Sequence, residues 1–239
     1  MKLKIWPEIA EDTGEFFRTL PAVFNEFRRT LLLLVLFFVL LLYLLVPYDH
    51  TISKQFAAGR AQPWIALAEA LREWGAFFDT LTVTLILFVT GWFFRRRNWR
   101  RLAVTLFLSS VLSGLAANVP RLTTGRPRPY VGVEDRWYGP VFLYPRSWIP
   151  GHRKPSAFQS FPSGHTSASV ASAVMLLTAA PAVGIPMAIS STGVVWSCLY
   201  ANKHYATDVA AGSGFGVIFG LAGGLAFRRM RARSDQSMR

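Results

Sequence analysis

At 239 residues, with 52% hydrophobic and only 16% charged side chains, the chain is too apolar for an ordinary soluble domain of its size. Its net charge of +13 does not point to nucleic acid, because the arginines cluster beside apolar runs instead of lining a polar face. Nothing like a linker, a low-complexity stretch or an internal repeat divides it, so residues 1–239 read as one domain, and the lone Cys198 excludes an intrachain disulfide.

In chain order, residues 1–29 carry Ile5, Trp6, Phe16, Phe17 and Leu20 among charged residues. This predicts an amphipathic helix that lies in the headgroup plane or packs against a helix bundle. Arg28 and Arg29 introduce the first apolar run, 30–46, which starts late and continues into Val46-Pro-Tyr-Asp-His without a small-residue cleavage site. It is expected to be a retained span, not a leader. Ala61, Ile65, Ala68 and Leu71 then recur at helical spacing beside Trp64 and Trp74, a second amphipathic segment open to the same two explanations. Further spans are expected at 77–94, where Asp79 and several threonines dilute the pattern, and at 102–119, 166–182, 185–199 and 209–227. Pro181-Ala-Val-Gly-Ile-Pro186 reads as a tight turn between the fourth and fifth. Each span must be helical, because backbone exposed to lipid has to satisfy its own hydrogen bonds. The expected fold class is all-α: a polytopic membrane helix bundle of six transmembrane helices with an amphipathic interfacial helix at the N-terminus.

Alternation gives the topology. Arg28-Arg29, the Arg95–Arg101 cluster and Arg228–Arg233 fall on one side of the membrane, and by the positive-inside rule that side is cytoplasmic. Both termini are then cytoplasmic, and three polar motifs fall on the opposite side, the periplasm or outside.

The first motif runs from Arg121 to Pro129. Arg121, Arg126 and Arg128 sit beside Gly125, Pro127 and Pro129, and a guanidinium fork matches phosphate oxygens two at a time. The second, Pro162-Ser163-Gly164-His165, reads as a loop entering a helix, where free N–H groups favour an anion and His165 stands ready to donate a proton. The third places His204 four residues before Asp208. A carboxylate that accepts from one imidazole nitrogen fixes the tautomer and frees the other to attack, while the same aspartate suits a helix start.

These motifs resemble the type 2 phosphatidic acid phosphatase superfamily, whose pattern is K-x6-R-P, then P-S-G-H, then S-R-x5-H-x3-D. Arg121 takes the lysine position, Arg128-Pro129 closes the first motif, the second matches in full, and Ser197, His204 and Asp208 match the third. The resemblance covers about residues 102–227, the motif-bearing core. It departs at Cys198, where the family has an arginine that would help bind phosphate. Lys203 and Arg126 are the nearby cations available to compensate.

The resemblance implies a lipid phosphatase. His204 would form a phosphohistidine, Asp208 would orient it, and His165 would protonate the leaving oxygen and then activate water. Arg121, Arg128, Ser163 and the Gly164 backbone would hold the phosphate oxygens. No cofactor and no metal ion is expected, since the cations take up the charge and the motifs offer a single aspartate. The partners expected are the bilayer and an anionic lipid: phosphatidylglycerol phosphate, phosphatidic acid, an isoprenyl diphosphate or the 1-phosphate of lipid A. The loop 130–160, with Trp137, Tyr138, Phe142, Tyr144 and Trp148 among Arg136, Arg146, His152, Arg153 and Lys154, would receive the headgroup or simply anchor at the interface; Glu134 and Asp135 are available to pair with the arginines. Phosphotransfer to a lipid hydroxyl, and phosphate-lipid binding without turnover, stay open as alternatives.

Overall fold

The computed structural model describes residues 5–237, apart from the side chains of Ile5, Ala76, His152 and Ser237. Among the described residues there are helices and loops and no strand. Nine α-helices follow in order: α1 Ile5–Glu26, α2 Arg28–Leu45, α3 Asp49–Ala58, α4 Gln62–Glu73, α5 Asp79–Phe93, α6 Arg97–Thr124, α7 Gly164–Ala179, α8 Pro181–Tyr200 and α9 Ala206–Ser237. A turn of π-helix, Trp74–Phe78, joins α4 to α5.

Four helical stretches, Arg28–Ala58, Arg97–Val131, Pro181–Tyr200 and Ala206–Gln236, are long and apolar enough to cross a membrane. Asp79–Phe93 is a shorter apolar helix, and α7 has 16 residues. The outward faces are apolar: Leu33, Leu36, Phe37 and Leu40 on α2, Leu85, Ile86 and Val89 on α5, and Ile185 and Ile189 on α8 are all exposed. Such a surface suits hydrocarbon as its solvent.

Close helix packing inside depends on small residues. A Cβ at Gly212, Gly216 or Gly220 of α9 would lie 2.4 Å from Ser163 O, 2.6 Å from Val170 Cβ and 2.6 Å from Ala171 O. This stripe, repeating every four residues, lets the α9 backbone lie directly on α7. The starts of the two helices are thereby brought together, and Ser163 N–H donates to Asp208 O at 2.9 Å.

The ends of the bundle differ. At one, Arg229 pairs with Glu26, and Arg95, Arg96, Arg97 and Arg231 line a cavity of about 710 Å³. At the other, about 40 Å away along the 28 residues of α6, the three motif segments meet.

One expectation changes. The 181–186 segment is not a turn: α8 begins at Pro181 and runs through Pro186. Proline suits a first helical position, whose N–H has no partner within the helix. The chain reverses at Ala180 alone, in an extended conformation (φ −150°, ψ 77°). For α1, the apolar face packs on the bundle, one of the two uses expected for it. Phe16 and Val23 are buried against Ala222, Ala226 and Met230, and Asp12 accepts from the buried Arg101 Nε at 3.0 Å. Arg101 also donates to Glu15 (3.0 Å), Ser234 Oγ (2.6 Å) and Met230 O (3.0 Å).

Removing one partner of a buried ion pair leaves a charge inside the protein. Asp12→Ala is expected to cost about 3 kcal/mol, read as thermal unfolding in detergent. An unchanged midpoint would show that this pair does not hold α1 to the bundle.

Candidate active site

The last turn of α6 carries Arg121, and the helix stops at Gly125, which adopts a left-handed conformation (φ 64°). A Cβ there would lie 2.0 Å from Gly139 O, so glycine is required on both counts. The chain then turns to present Arg126 and Arg128. Arg128 is held at the edge of the site by carbonyls: Nε donates to Ser156 O (3.2 Å), Nη2 to Gln159 O (3.3 Å) and Nη1 to Lys203 O (3.4 Å).

Ser163 is the N-cap of α7. Its Oγ accepts from Thr166 N–H at 3.4 Å and from Thr166 Oγ1 at 2.9 Å, so the buried hydroxyl serves the helix start. Gly164 follows with its N–H among the first-turn donors that an α-helix leaves free. A Cβ at Gly164 would lie 2.7 Å from Arg121 Nη1, so the guanidinium lies directly against the helix start. His165 comes next. Arg121, Gly164 and His165 form one wall of a cavity of about 280 Å³ that continues along Ser110, Gly114 and Asn118 of α6 to Gly75 and Phe77. Buried Arg121 Nε has no hydrogen-bond partner among the described residues.

His204 lies in the short loop between α8 and α9 and is 2% exposed. Its Nδ1 stands 2.8 Å from Ser160 O. A carbonyl can only accept, so Nδ1 carries the proton and Nε2 holds a lone pair. That nitrogen faces Arg128 Nη1 at 3.4 Å. Burial pushes the His204 imidazole below the ordinary histidine value, with Asp208 opposing and Arg128 adding to the effect. A ring held in this way favours its neutral form.

Asp208 is fully buried and acts one step removed from the expected arrangement. Its Oδ2 is 3.7 Å from His204 Nδ1, an ion-pair distance and not a hydrogen bond. Oδ2 accepts instead from Ser160 Oγ (2.5 Å) and from Tyr205 N–H (2.8 Å), while Oδ1 accepts from Arg126 Nη1 (2.8 Å). His204 precedes the helix, so the four-residue spacing does not stack the two side chains on one helical face. Asp208 fixes Ser160, and Ser160 fixes the imidazole.

Arg126 is not free to replace the motif arginine. All five of its N–H donors are taken: Nε by Asp135 Oδ1 (3.0 Å), Nη1 by Thr207 Oγ1 (2.7 Å) and Asp208 Oδ1 (2.8 Å), Nη2 by Asp49 Oδ2 and Asp135 Oδ2 (both 2.9 Å). Its guanidinium also lies 4.1 Å from the centre of the Tyr205 ring. Lys203 places its ammonium 4.7 Å over Tyr130, and burial lowers its pKa. Cys198 is buried, with its sulfur 3.7 Å from Ser163 Oγ and 3.9 Å from Thr166 Oγ1.

Sequence reasoning missed three participants. Asp49, which starts α3, caps the Thr207 N–H at 2.9 Å and holds Arg126. Ser160 supplies both the carbonyl and the hydroxyl between His204 and Asp208. Asp135, considered only as a generic partner for the loop arginines, closes the cage around Arg126. A carboxylate in an otherwise basic loop was the one available signal.

The family model described as the PAP2 superfamily matches residues 99–233. The lipid A 1-phosphatase of Rhizobium johnstonii is 33% identical over 126 residues, which is 52% of this chain and 47% of that protein. The lipid A 1-phosphatase of Rhizobium etli is 32% identical over 126 residues, 52% of this chain and 50% of that one. The chain thus spans about half the length of the curated relatives it matches. A transmembrane PAP2-type phosphatidylglycerolphosphate phosphatase from Bacillus subtilis superposes with a TM-score of 0.56, covering 85% of this chain and 96% of that one at 19% identity, a likeness of fold. With the family model matching more than half of the sequence, all three motif segments included, the chain belongs to the PAP2 superfamily.

Proposed function

We propose that the protein is an integral membrane phosphatase that hydrolyses a phosphomonoester or diphosphate on a lipid through a phosphohistidine at His204. The observation that carries this reading is the setting of the His204 ring: Nδ1 lies 2.8 Å from Ser160 O, which leaves Nε2 on the far side of the ring, facing Arg128. Nε2 attacks phosphorus in line with the lipid oxygen, and the P–O bond to the lipid breaks as the N–P bond forms. His165, in its protonated form, gives its proton to the departing oxygen. It then takes a proton from the water that attacks phosphorus, the N–P bond breaks, and phosphate leaves. Asp208, 3.7 Å away, stabilises the charge that develops on the His204 ring. Arg121, Arg128 and the Gly164 N–H hold the equatorial oxygens, so the reaction as proposed uses the chain's own cations and no metal. Ser163 acts by capping the helix that presents Gly164 and His165.

The membrane arrangement belongs to the same proposal. Helices α2, α5, α6, α7, α8 and α9 correspond to the six spans, the arginine-rich end faces the cytoplasm with both termini, and the motif end opens to the periplasm. Among substrates, the 1-phosphate of lipid A ranks first because both curated relatives carry that activity in their names. Phosphatidylglycerol phosphate, phosphatidic acid and isoprenyl diphosphates complete the panel. Transfer to a lipid hydroxyl uses the same intermediate and is distinguished by its product.

Purified protein in detergent is expected to release phosphate from at least one lipid of this panel, and His204→Ala to release none above background. Equal release by both would exclude His204 as nucleophile. The pH profile gives a second check. Because His204 is held below about 6.5, the ordinary histidine value, the acid limb of kcat/KM should fall below that pH once the substrate's own ionisation is removed. A limb centred above 7 would contradict the neutral ring.

A further inference from the structure

We infer that Arg72 of α4 is a further phosphate-binding residue, supplying across the helix packing the guanidinium that Cys198 cannot. The inference rests on the site described above and extends it to a helix outside the three motifs.

Three observations meet at Arg72. The first is position. Helix α4 packs antiparallel against α8, the helix that carries Cys198. Ala61 N–H donates to Tyr200 Oη at 3.1 Å, and Tyr200 Oη donates to Gly59 O at 3.0 Å, which fixes one end of the pair. At the other end, a Cβ at Gly193 would lie 3.5 Å from Leu71 Cδ1, and a Cβ at Gly75 would lie 2.2 Å from Val194 Cγ2. Arg72 adjoins Leu71 in the last turn of α4. Gly75 and Phe77, which follow it, line the same cavity as His165, Gly164 and Arg121.

The second is charge. The positive charge of Arg72 bears on His165, on Cys198 and on Lys203, as that of Arg128 does. Arg60 also bears on Lys203, but after Arg128, and it is not among the leading charges at His165 or Cys198.

The third is an unmet donor. Buried Arg72 Nε has no hydrogen-bond partner among the described residues. Its nearest carboxylate is a loose contact, Nη2 to Glu73 Oε1 at 3.8 Å, and the Glu73 side chain is 73% exposed. Buried polar groups are nearly always satisfied, so an orphan N–H beside a phosphate site calls for an acceptor brought by the ligand. Arg121 flanks the site in the same condition. Arg126, with every donor occupied, shows what a purely architectural arginine looks like in this fold.

The test is equilibrium titration of the detergent-purified full chain with inorganic phosphate and with orthovanadate, comparing wild type, Arg72→Ala and Arg72→Lys. Loss of a charge-assisted bond is expected to weaken anion binding tenfold or more in Arg72→Ala, with the thermal unfolding midpoint kept. Arg72→Lys, which keeps the charge and loses the fork, is expected to weaken it about three- to tenfold. It also carries the test should the alanine variant not fold. Binding within twofold of wild type in either folded variant overturns the assignment. Turnover enters neither titration, so wild type that binds phosphate but hydrolyses no lipid overturns the hydrolase reading alone.

Discussion

Asp208 is a carboxylate with no solvent access, and a charge so placed must be met by donors from several directions. Meeting it organises one end of the molecule. The Tyr205 N–H it accepts starts α9, the Ser160 hydroxyl fixes the loop that approaches α7, and Arg126 ties in the segment leaving α6. Arg126 in turn needs more than one counter-charge to stay buried, which recruits Asp49 from α3 and Asp135 from the long loop. The catalytic candidates are the edges of this network. His204 touches it through Ser160, and Arg128 and Lys203 extend from the same strands of chain.

The network holds the site only because α7 and α9 are already in contact. Glycines 212, 216 and 220 bring the α9 backbone onto α7, so that Ser163 N–H reaches Asp208 O across the helix starts. Two helix N-termini are thus gathered at one end of the bundle. In the function we propose, an anion meets that end against Arg121 of α6, Arg128 in the segment after it and Arg72 of α4. The arginine-rich opposite end is separated from it by the length of α6.

The parts legible in the sequence were those carried by contrast. Polar motifs stand out against apolar runs, and helix periodicity marks α1 and α4 as one-sided. What was not legible depended on which partner a side chain finds. The spacing of His204 and Asp208 suggests a direct bond if both lie on a helix. Residue 204 instead precedes α9, and a backbone carbonyl takes the imidazole proton, an acceptor that no side-chain motif can advertise. Arg126 reads as a phosphate ligand beside Arg128, and only the arrival of Asp49 from 77 residues away reveals it as a cage centre. Pro181 and Pro186 read as a turn because proline breaks helix interiors, yet proline is compatible with a helix start. The substitution at Cys198 was visible, but the residue that answers it lies on a helix whose sequence shows only amphipathic spacing.

The central claim is that His204 Nε2 takes the phosphoryl group. The direct measurement is to mix the enzyme with lipid labelled in the phosphate, quench into alkali, where a phosphohistidine survives, and map the label by mass spectrometry. The account predicts label on His204, transient in wild type and accumulating in His165→Ala with an activated leaving group, because water activation is then lost. Label on another residue, or complete turnover with no labelled protein at any time, would contradict it.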